Sequence, residues 1–282
     1  MKIDDYFKYD YLENEFTSEE ISKNLLSSEQ LFANLIKEWN IDRNSEWVIR
    51  NYIAIKMILA SSVMLSSVQY AQERNLKIVE PYLHYYSLLS CCRAVIYTSP
   101  LVEYQNGNIF QLTHKKTINI VGDIISKFNK DKGSDFKLDI DKAREYREIF
   151  SYKFPAKGVQ DEHLSTMKTI YICSLLCEIA QFQSKILENT LYKKEIKGSD
   201  LDWSTLTKGF QYESEHFTII DDEDYQRLNY ISRKQKSPLS LHLMMTEGLV
   251  EDFFGAWHSG NDDDSEECYN PNKNWQIIFP VP

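Results

Sequence analysis

Four side chains suited to acid–base and phosphate chemistry lie in three successive stretches of the chain: Arg93, His114, Arg144 and Arg147. An imidazole whose pKa is about 6.5 exchanges protons readily near neutral pH. A guanidinium group presents a planar set of N–H donors that fits the oxygens of a phosphate. These residue types therefore predict a site for a phosphate-bearing ligand, with His114 as its proton carrier.

Two lysines follow His114 directly and extend this basic stretch. Thr113 is a suitable N-cap, so Lys115 and Lys116 fall in the first turn of a predicted helix, where the helix dipole favours acidic side chains. A bound anion would relieve that mild conflict, although exposed lysines are usually just hydrated. In the simpler interpretation, His114 only supports the start of the helix.

The arginines and the neighbouring tyrosines also have structural interpretations. Arg93 follows small and apolar residues, a context typical of a buried ion-pair partner. Arg144 and Arg147 share one helix face and are expected to pair with Asp141 and Glu148, which we favour over a grip on phosphate. The tyrosine-rich helix that contains Arg93 is expected to serve core packing rather than base stacking.

Long helices are expected to position these side chains. The chain contains only 9 Gly and 7 Pro in 282 residues, and its apolar residues recur every three to four positions. The predicted helices that carry the candidate residues are 79–97, 113–130 and 139–152, with a break at Asp131-Lys-Gly-Ser134. The predicted fold class is therefore mainly α, with residues 1–198 forming a helical bundle of antiparallel neighbours.

Residues 199–282 are predicted to form a smaller acidic α+β portion packed against that bundle. Residues 200–282 contain 16 acidic and 6 basic side chains, whereas the preceding residues contain 26 of each. Two stretches, 215–220 and 275–279, are predicted as strands that pair with each other. Because acidic surface repels phosphate, nucleic-acid contacts are expected on the N-terminal two thirds, and the acidic surface most simply aids solubility.

Several common classes of site are not indicated by the sequence. It contains no Gly-rich phosphate loop, no His-Glu-x-x-His and no Gly-x-Ser-x-Gly motif. The five cysteines, four of them in apolar helical stretches, match no disulfide or zinc spacing, so neither a metal nor another cofactor is predicted. The longest apolar run, Ile53–Val68, is interrupted by Lys56 and four serines, and the N-terminus lacks a secretory pattern. No membrane association and a cytoplasmic location are therefore expected.

Three segments of the chain together resemble the HEPN superfamily of helical bundles, and its YaaC-like proteins in particular. They are Tyr85-Tyr86-Ser-Leu-Leu-Ser-Cys-Cys-Arg93, Leu-Thr-His114-Lys115-Lys116 and Arg144-Glu-Tyr146-Arg147-Glu-Ile-Phe-Ser-Tyr152, within about residues 47–190. The resemblance implies a homodimer that acts in a bacterial conflict, antiviral defence or toxin–antitoxin system, with RNA or a protein as its partner. Active members of the superfamily are metal-independent ribonucleases that use an Arg and a His four to six residues later, converging across a dimer.

One departure from that pattern bears on catalysis. Arg147 is followed at the expected spacing by Tyr152 rather than by a histidine. A phenol with a pKa of about 10 is a poor general base at neutral pH. We therefore expect binding of RNA or a partner protein without efficient nuclease activity. The candidate catalytic residues are His114, Arg147 and Tyr152, and the candidate phosphate- or RNA-binding residues are Arg93, Lys115, Lys116 and Arg144.

Two alternative functions fit the same sequence. In the first, the protein is a ribonuclease toxin whose Arg and His meet in space rather than in sequence. In the second, it is a non-catalytic assembly subunit that docks a basic partner through its acidic C-terminal third.

Overall fold

The described part of the chain is mostly helical. The computed structural model describes residues 6–104, 112–155, 165–196, 198, 200–213, 216–219, 221–258 and 268–281. Its helices are α1 (Asp10–Glu15), α2 (Ser18–Leu35), α3 (Ile41–Glu73), α4 (Glu80–Thr98), α5 (His114–Ser126), α6 (Lys130–Tyr152), α7 (Thr166–Lys193), α8 (Trp203–Lys208), α9 (Asp222–Lys234), α10 (Leu241–Met244) and α11 (Glu247–Gly255). Ile36–Glu38 and Pro271–Asn274 form 3₁₀ turns, and the strands are β1 (Tyr212–Glu213) and β2 (Thr218–Ile219). The predicted mainly α fold class is confirmed.

The helices α3, α4 and α7 form the centre of the fold. α3 has 33 residues, and its Trp47, Ile55 and Leu59 are fully buried. α4 packs against α3 and α7 and also against α5 and α6, so nearly all of its side chains are buried. Tyr86 is exposed and Arg93 is half-buried. α4 is therefore the helix that connects the core to the candidate site residues on α5 and α6.

Helices α5 and α6 cross at a very short distance. α6 runs without interruption through residues 131–134, so the predicted helix break there is wrong. The Asn129 side chain caps the start of α6 by accepting two backbone N–H groups. A Cβ on Gly133 would clash with the hydroxyl of Ser126 and lie 2.6 Å from the carbonyl oxygen of Gly122. Gly133 therefore permits close helix packing rather than a turn.

The C-terminal end of α4 is fixed by a buried arginine of α3. Arg50 is 2% exposed and donates to the carbonyl oxygens of Tyr97 and Ser99, each at 2.7 Å. Its guanidinium also pairs with Glu46 at 3.2 Å and lies 4.0 Å from the ring centroid of Trp47. Burial lowers the pKa of Arg50 to about 10, so the side chain stays charged at neutral pH and satisfies carbonyl groups that end a helix.

The C-terminal portion shares the core of the bundle. One cluster of buried apolar residues extends from Phe7 to Val281. The buried carboxylate of Asp224 accepts a hydrogen bond from the Tyr52 hydroxyl at 2.6 Å and also pairs with Lys56. These contacts fasten α9 to α3 and use one of the acidic side chains of this portion inside the fold.

The two predicted strands do not pair with each other. β2 lies within the predicted strand 215–220 and pairs antiparallel with β1, while residues 215 and 220 lie outside the described residues. The stretch 275–279, which is described, contains no strand, so this prediction is wrong. Its Ile278 and Phe279 are buried in the core instead. Apolar and aromatic residues of this kind satisfy core packing as well as a β-ladder, and composition alone does not distinguish the two.

Two of the described helices, α3 and α7, are long and apolar enough to cross a membrane. However, 78% and 83% of their most apolar windows are buried inside the fold. Their apolar side chains therefore already have partners within the chain.

The cysteines are free thiols. The four that lie in apolar helical stretches are fully buried, and burial raises the pKa of each one: Cys91, Cys92, Cys173 and Cys177. They behave as small buried hydrophobes. The Sγ atoms of Cys91 and Cys177 lie 3.7 Å apart, a contact between α4 and α7 without a covalent bond.

Candidate functional site

Helices α4 and α6 pack with their tyrosine-rich and arginine-rich faces together. The Ser151 hydroxyl donates to the hydroxyl oxygen of Tyr82 at 3.3 Å. The Cζ atom of Arg147 lies 5.3 Å from the ring centroid of Tyr85 and 6.0 Å from that of Tyr86. Successive contacts ascend α4 while they descend α6, so the two helices run antiparallel. In this antiparallel arrangement, the turn of α4 that follows Tyr86 lies near the turn of α6 that precedes Arg147.

Arg93 lies on the same face of α4 as Tyr86, about two helical turns further along. Its side chain is half-buried. It forms no ion pair with any carboxylate in the part of the chain that the structure describes. The described residues therefore do not support the interpretation of Arg93 as a buried ion-pair partner.

His114 opens α5 and contacts the tyrosine pair of α4. Its ring centroid lies 5.5 Å from that of Tyr85 and 6.2 Å from that of Tyr86. The Thr113 hydroxyl caps α5 by accepting the backbone N–H of Lys116 at 3.3 Å. The cap fixes the start of α5 at His114, so the His114 side chain points toward α4 and α6.

The charges of three arginines act on the His114 imidazole. Its pKa is lowered, first by partial burial and then by Arg93, Arg147 and Arg144, while the carboxylate of Glu148 acts in the opposite direction. At neutral pH the imidazole is therefore mostly uncharged and able to accept a proton. Side chains of α4, α5 and α6 therefore lie near enough to His114 for their charges to act on it. We call these four residues, Arg93, His114, Arg144 and Arg147, the cationic site.

The two arginines of α6 are paired with carboxylates of their own helix. A terminal nitrogen of Arg144 lies 3.2 Å from Asp141, and a terminal nitrogen of Arg147 lies 3.2 Å from Glu148. The predicted pairing is confirmed. It is incomplete, because the Nε–H groups of both arginines are buried without a hydrogen-bond partner among the described residues.

Buried hydroxyl groups without partners lie beside the cationic site. The side chains of Tyr85 and of Thr117, one turn after His114, are fully buried, and neither hydroxyl has a hydrogen-bond partner in the described ranges. An unsatisfied buried polar group costs about 1–3 kcal/mol. Burial also raises the pKa of Tyr85, so its hydroxyl keeps its proton. Tyr86 is 37% exposed and presents part of its ring to solvent next to Arg147.

The remaining predicted site residues lie outside this group. Tyr152 is the last residue of α6 and is 79% exposed, and its side chain makes no contact with His114 or Arg147 within the described part of the chain. Lys115 and Lys116 are exposed. Lys116 points about 200° away from His114 around the helix, whereas Lys115 lies nearer the rim of the site.

Sequence reasoning missed the part that Tyr85 and Tyr86 play at the site. It assigned tyrosines of this helix to core packing, which holds for Tyr85 and Tyr97. The signal that was available is the adjacent tyrosine pair. In a helix, neighbours differ by about 100° in direction, so one tyrosine faces the core while the next reaches the edge of the buried face.

A cavity of about 600 Å³ lies away from the cationic site, between the start of α3 and α8. It is lined by acidic and basic side chains, and Glu46, Tyr104 and Asp202 are among them. Glu46 is paired with Arg50, and Asp202 caps α8 by accepting the backbone N–H of Thr205. Because these carboxylates have structural roles, this cavity is not assigned as a site.

Comparisons with known proteins place no external constraint on the function. No protein-family model, curated protein or solved structure matches the chain. The resemblance to the HEPN superfamily therefore stays a prediction. Among the described residues, no group of three or more His, Cys, Asp or Glu is placed to hold a metal ion.

Proposed function

We propose that the chain binds a phosphate-bearing ligand, single-stranded RNA in particular, at the cationic site. One observation carries the proposal: the Tyr85 ring lies 5.5 Å from the His114 ring and 5.3 Å from Cζ of Arg147, and the charges of Arg93 and Arg144 also reach His114. Within the described ranges, these three arginines form ion pairs with two carboxylates, those of Asp141 and Glu148, so positive charge is in excess among them.

The donors at this site suit a phosphate group. Guanidinium and phosphate form charge-assisted hydrogen bonds in a bidentate geometry. Arg93 has no carboxylate partner among the described residues, and the Nε–H groups of Arg144 and Arg147 are unused there. A phosphate that reaches these arginines would offer acceptors to donors that the described residues leave without partners.

The aromatic edge of the site favours RNA over a free phosphate ion. Tyr86 is 37% exposed and lies next to both the His114 ring and the Arg147 guanidinium. Stacking of a base on an aromatic ring contributes about 1–3 kcal/mol and does not depend strongly on sequence. A nucleotide strand that places a phosphate on the arginines can therefore place a base on Tyr86.

Fluorescence anisotropy with a labelled single-stranded oligouridine tests this proposal. Arg93→Gln is the chosen variant, because it removes a charge and breaks no ion pair of the described structure. We expect roughly tenfold weaker binding, since a hydrogen bond to a charged group contributes about 1.5–3 kcal/mol. Arg233→Gln, an exposed arginine of α9, removes the same charge far from the site in sequence and should have little effect. No binding by the wild type, or equal loss in both variants, would refute the proposal.

Cleavage of RNA is a second candidate function, favoured by the largely neutral imidazole of His114 beside Arg147. Hydrolysis of a phosphodiester needs a proton acceptor and a proton donor. Tyr152 is 79% exposed and contacts neither residue in the described structure, so His114 is left as a single proton carrier. We therefore propose binding with, at most, slow cleavage. Total RNA is incubated in a metal chelator with the wild type and with the His114→Ala/Arg147→Ala variant. Efficient cleavage by the wild type alone would contradict the proposal that cleavage is slow.

For the biological role we propose what the family resemblance implies, a homodimer in a bacterial conflict system with RNA or a protein as partner. Growth inhibition on expression, relieved by His114→Ala, would support it. Docking of a basic partner by the acidic C-terminal third has less support. Several of its carboxylates, such as Asp224 and Asp202, are already engaged within the fold.

A further inference from the structure

We propose that Glu148 is an internal counter-ion that occupies the anion position of the cationic site and must swing out before a ligand binds. This inference rests on the proposed function, because it describes the regulation of the same site. It predicts that the protein holds its own binding site in a partly blocked state.

The geometry places one carboxylate oxygen between two guanidinium groups. The Oε1 atom of Glu148 lies 3.2 Å from a terminal nitrogen of Arg147 and 3.8 Å from Nε of Arg144. The longer distance exceeds a hydrogen bond, so the carboxylate holds Arg147 directly and Arg144 only by charge. A carboxylate and a phosphate present similar oxygens to a guanidinium and therefore compete for it.

Glu148 is free to leave. Its side chain is 42% exposed, so rotation into solvent leaves no buried charge behind on the glutamate. Arg144 keeps its ion pair with Asp141 at 3.2 Å when Glu148 moves away. In the described part of the chain the glutamate forms no hydrogen bond or ion pair with another helix, although its charge reaches His114 of α5. An ion pair with a partly exposed carboxylate is weakened by solvent, and charge-assisted hydrogen bonds to a phosphate compete with it.

Glu148→Gln removes the counter-ion and keeps the size of the side chain. We expect the affinity for labelled single-stranded oligouridine to increase about three- to tenfold, because the ligand no longer displaces a charge. Glu145→Gln is the matched control and removes the same charge. Glu145 is exposed and lies on the same helix, about 60° from Glu148 around the helix axis. The affinity of this variant should stay within about twofold of the wild type.

An NMR titration of His114 in the ligand-free proteins provides an independent readout. Because the Glu148 carboxylate raises the pKa of His114, Glu148→Gln should lower that pKa further, and Glu145→Gln should leave it near the wild-type value.

The outcomes separate the two proposals. Tighter binding by Glu148→Gln alone, with a lower pKa of His114, supports the counter-ion role. Equal affinities of wild type and Glu148→Gln, or equal gains in both variants, overturn it and leave the proposed function standing. If neither the wild type nor Glu148→Gln binds oligouridine, the proposed function fails, and the inference about Glu148 fails with it.

Discussion

The protonation state of His114 connects the cationic site to pH. Partial burial and then the charges of Arg93, Arg147 and Arg144 hold its pKa below the usual value of about 6.5. A bound phosphate adds negative charge and therefore raises this pKa. By linkage, a ligand that raises the pKa binds more tightly to the protonated form, so its affinity increases as the pH falls.

We therefore expect the affinity for oligouridine to rise several-fold as the pH falls from about 8 to about 5.5, because a bound phosphate stabilises the protonated imidazole. His114→Gln, which does not titrate, should show a much flatter dependence. Anisotropy titrations at constant ionic strength measure both. A pH dependence that is the same in wild type and variant would mean that His114 does not contact the ligand.

At the scale of single elements, the close crossing of α5 and α6 depends on Gly133. Gly133→Ala would place a methyl group against Ser126 and the backbone of Gly122. Because backbone cannot move aside cheaply, α5 must shift, and we expect a loss of about 1–3 kcal/mol in the free energy of unfolding. The shift should also displace His114 and weaken ligand binding.

Urea unfolding of Gly133→Ala measures this effect, and Gly255→Ala serves as its control. A Cβ at Gly255 meets no atom within 4 Å, and alanine is the better helix former, so that variant should be neutral or slightly stabilised. Equal stabilities of the two variants would show that the α5–α6 contact tolerates a methyl group.

The short helix α1 is held by a distant carboxylate on α7. Glu178 is 5% exposed and accepts the backbone N–H groups of Leu12 at 2.7 Å and Tyr11 at 3.2 Å. Burial raises its pKa to about 7, although the two hydrogen bonds lower it, and Asp10 and Glu13 raise it further. The folded protein therefore binds a proton here more strongly than the unfolded chain does.

This elevated pKa predicts how stability depends on pH. A carboxyl whose pKa is raised in the folded state contributes its full stability below about pH 4.5 and loses it as the pH rises through about 7. We expect the stability of wild type relative to Glu178→Gln to fall by about 1–3 kcal/mol between pH 5 and pH 8. Urea unfolding at both pH values measures the difference. A constant difference would mean that Glu178 titrates at its ordinary pKa.

The sequence predicts helices here better than it predicts their boundaries and contacts. The periodicity of α3 and α7 is visible because long apolar stripes must face a core. The start of α6 was predicted too late in the chain, because a glycine such as Gly133 usually indicates a turn. In the fold, Gly133 instead allows α5 and α6 to pack closely. The residue types of the cationic site were predictable from the sequence. The register of α4 against α6 was not, and it decides that Arg93 lies near His114 while Tyr152 lies outside the site.

At the scale of the whole molecule, a net charge of −10 restricts where an anionic polymer makes contact. The excess of acidic side chains lies in residues 200–282, and repulsion there limits binding to a small area. A site with three arginines neutralises about two phosphates, and each phosphate of a single strand contributes about −0.7 to the slope of log K against log salt.

We therefore expect a slope of about −1 to −2 for oligouridine, reduced in magnitude by about 0.7 in Arg93→Gln and unchanged in Arg233→Gln. Anisotropy titrations over a range of salt concentrations at fixed pH measure all three. A slope steeper than about −4 would require an extended basic surface beyond the three arginines. A slope that Arg93→Gln leaves unchanged would place the phosphates elsewhere, because an arginine that neutralises a phosphate must release counter-ions when it does so.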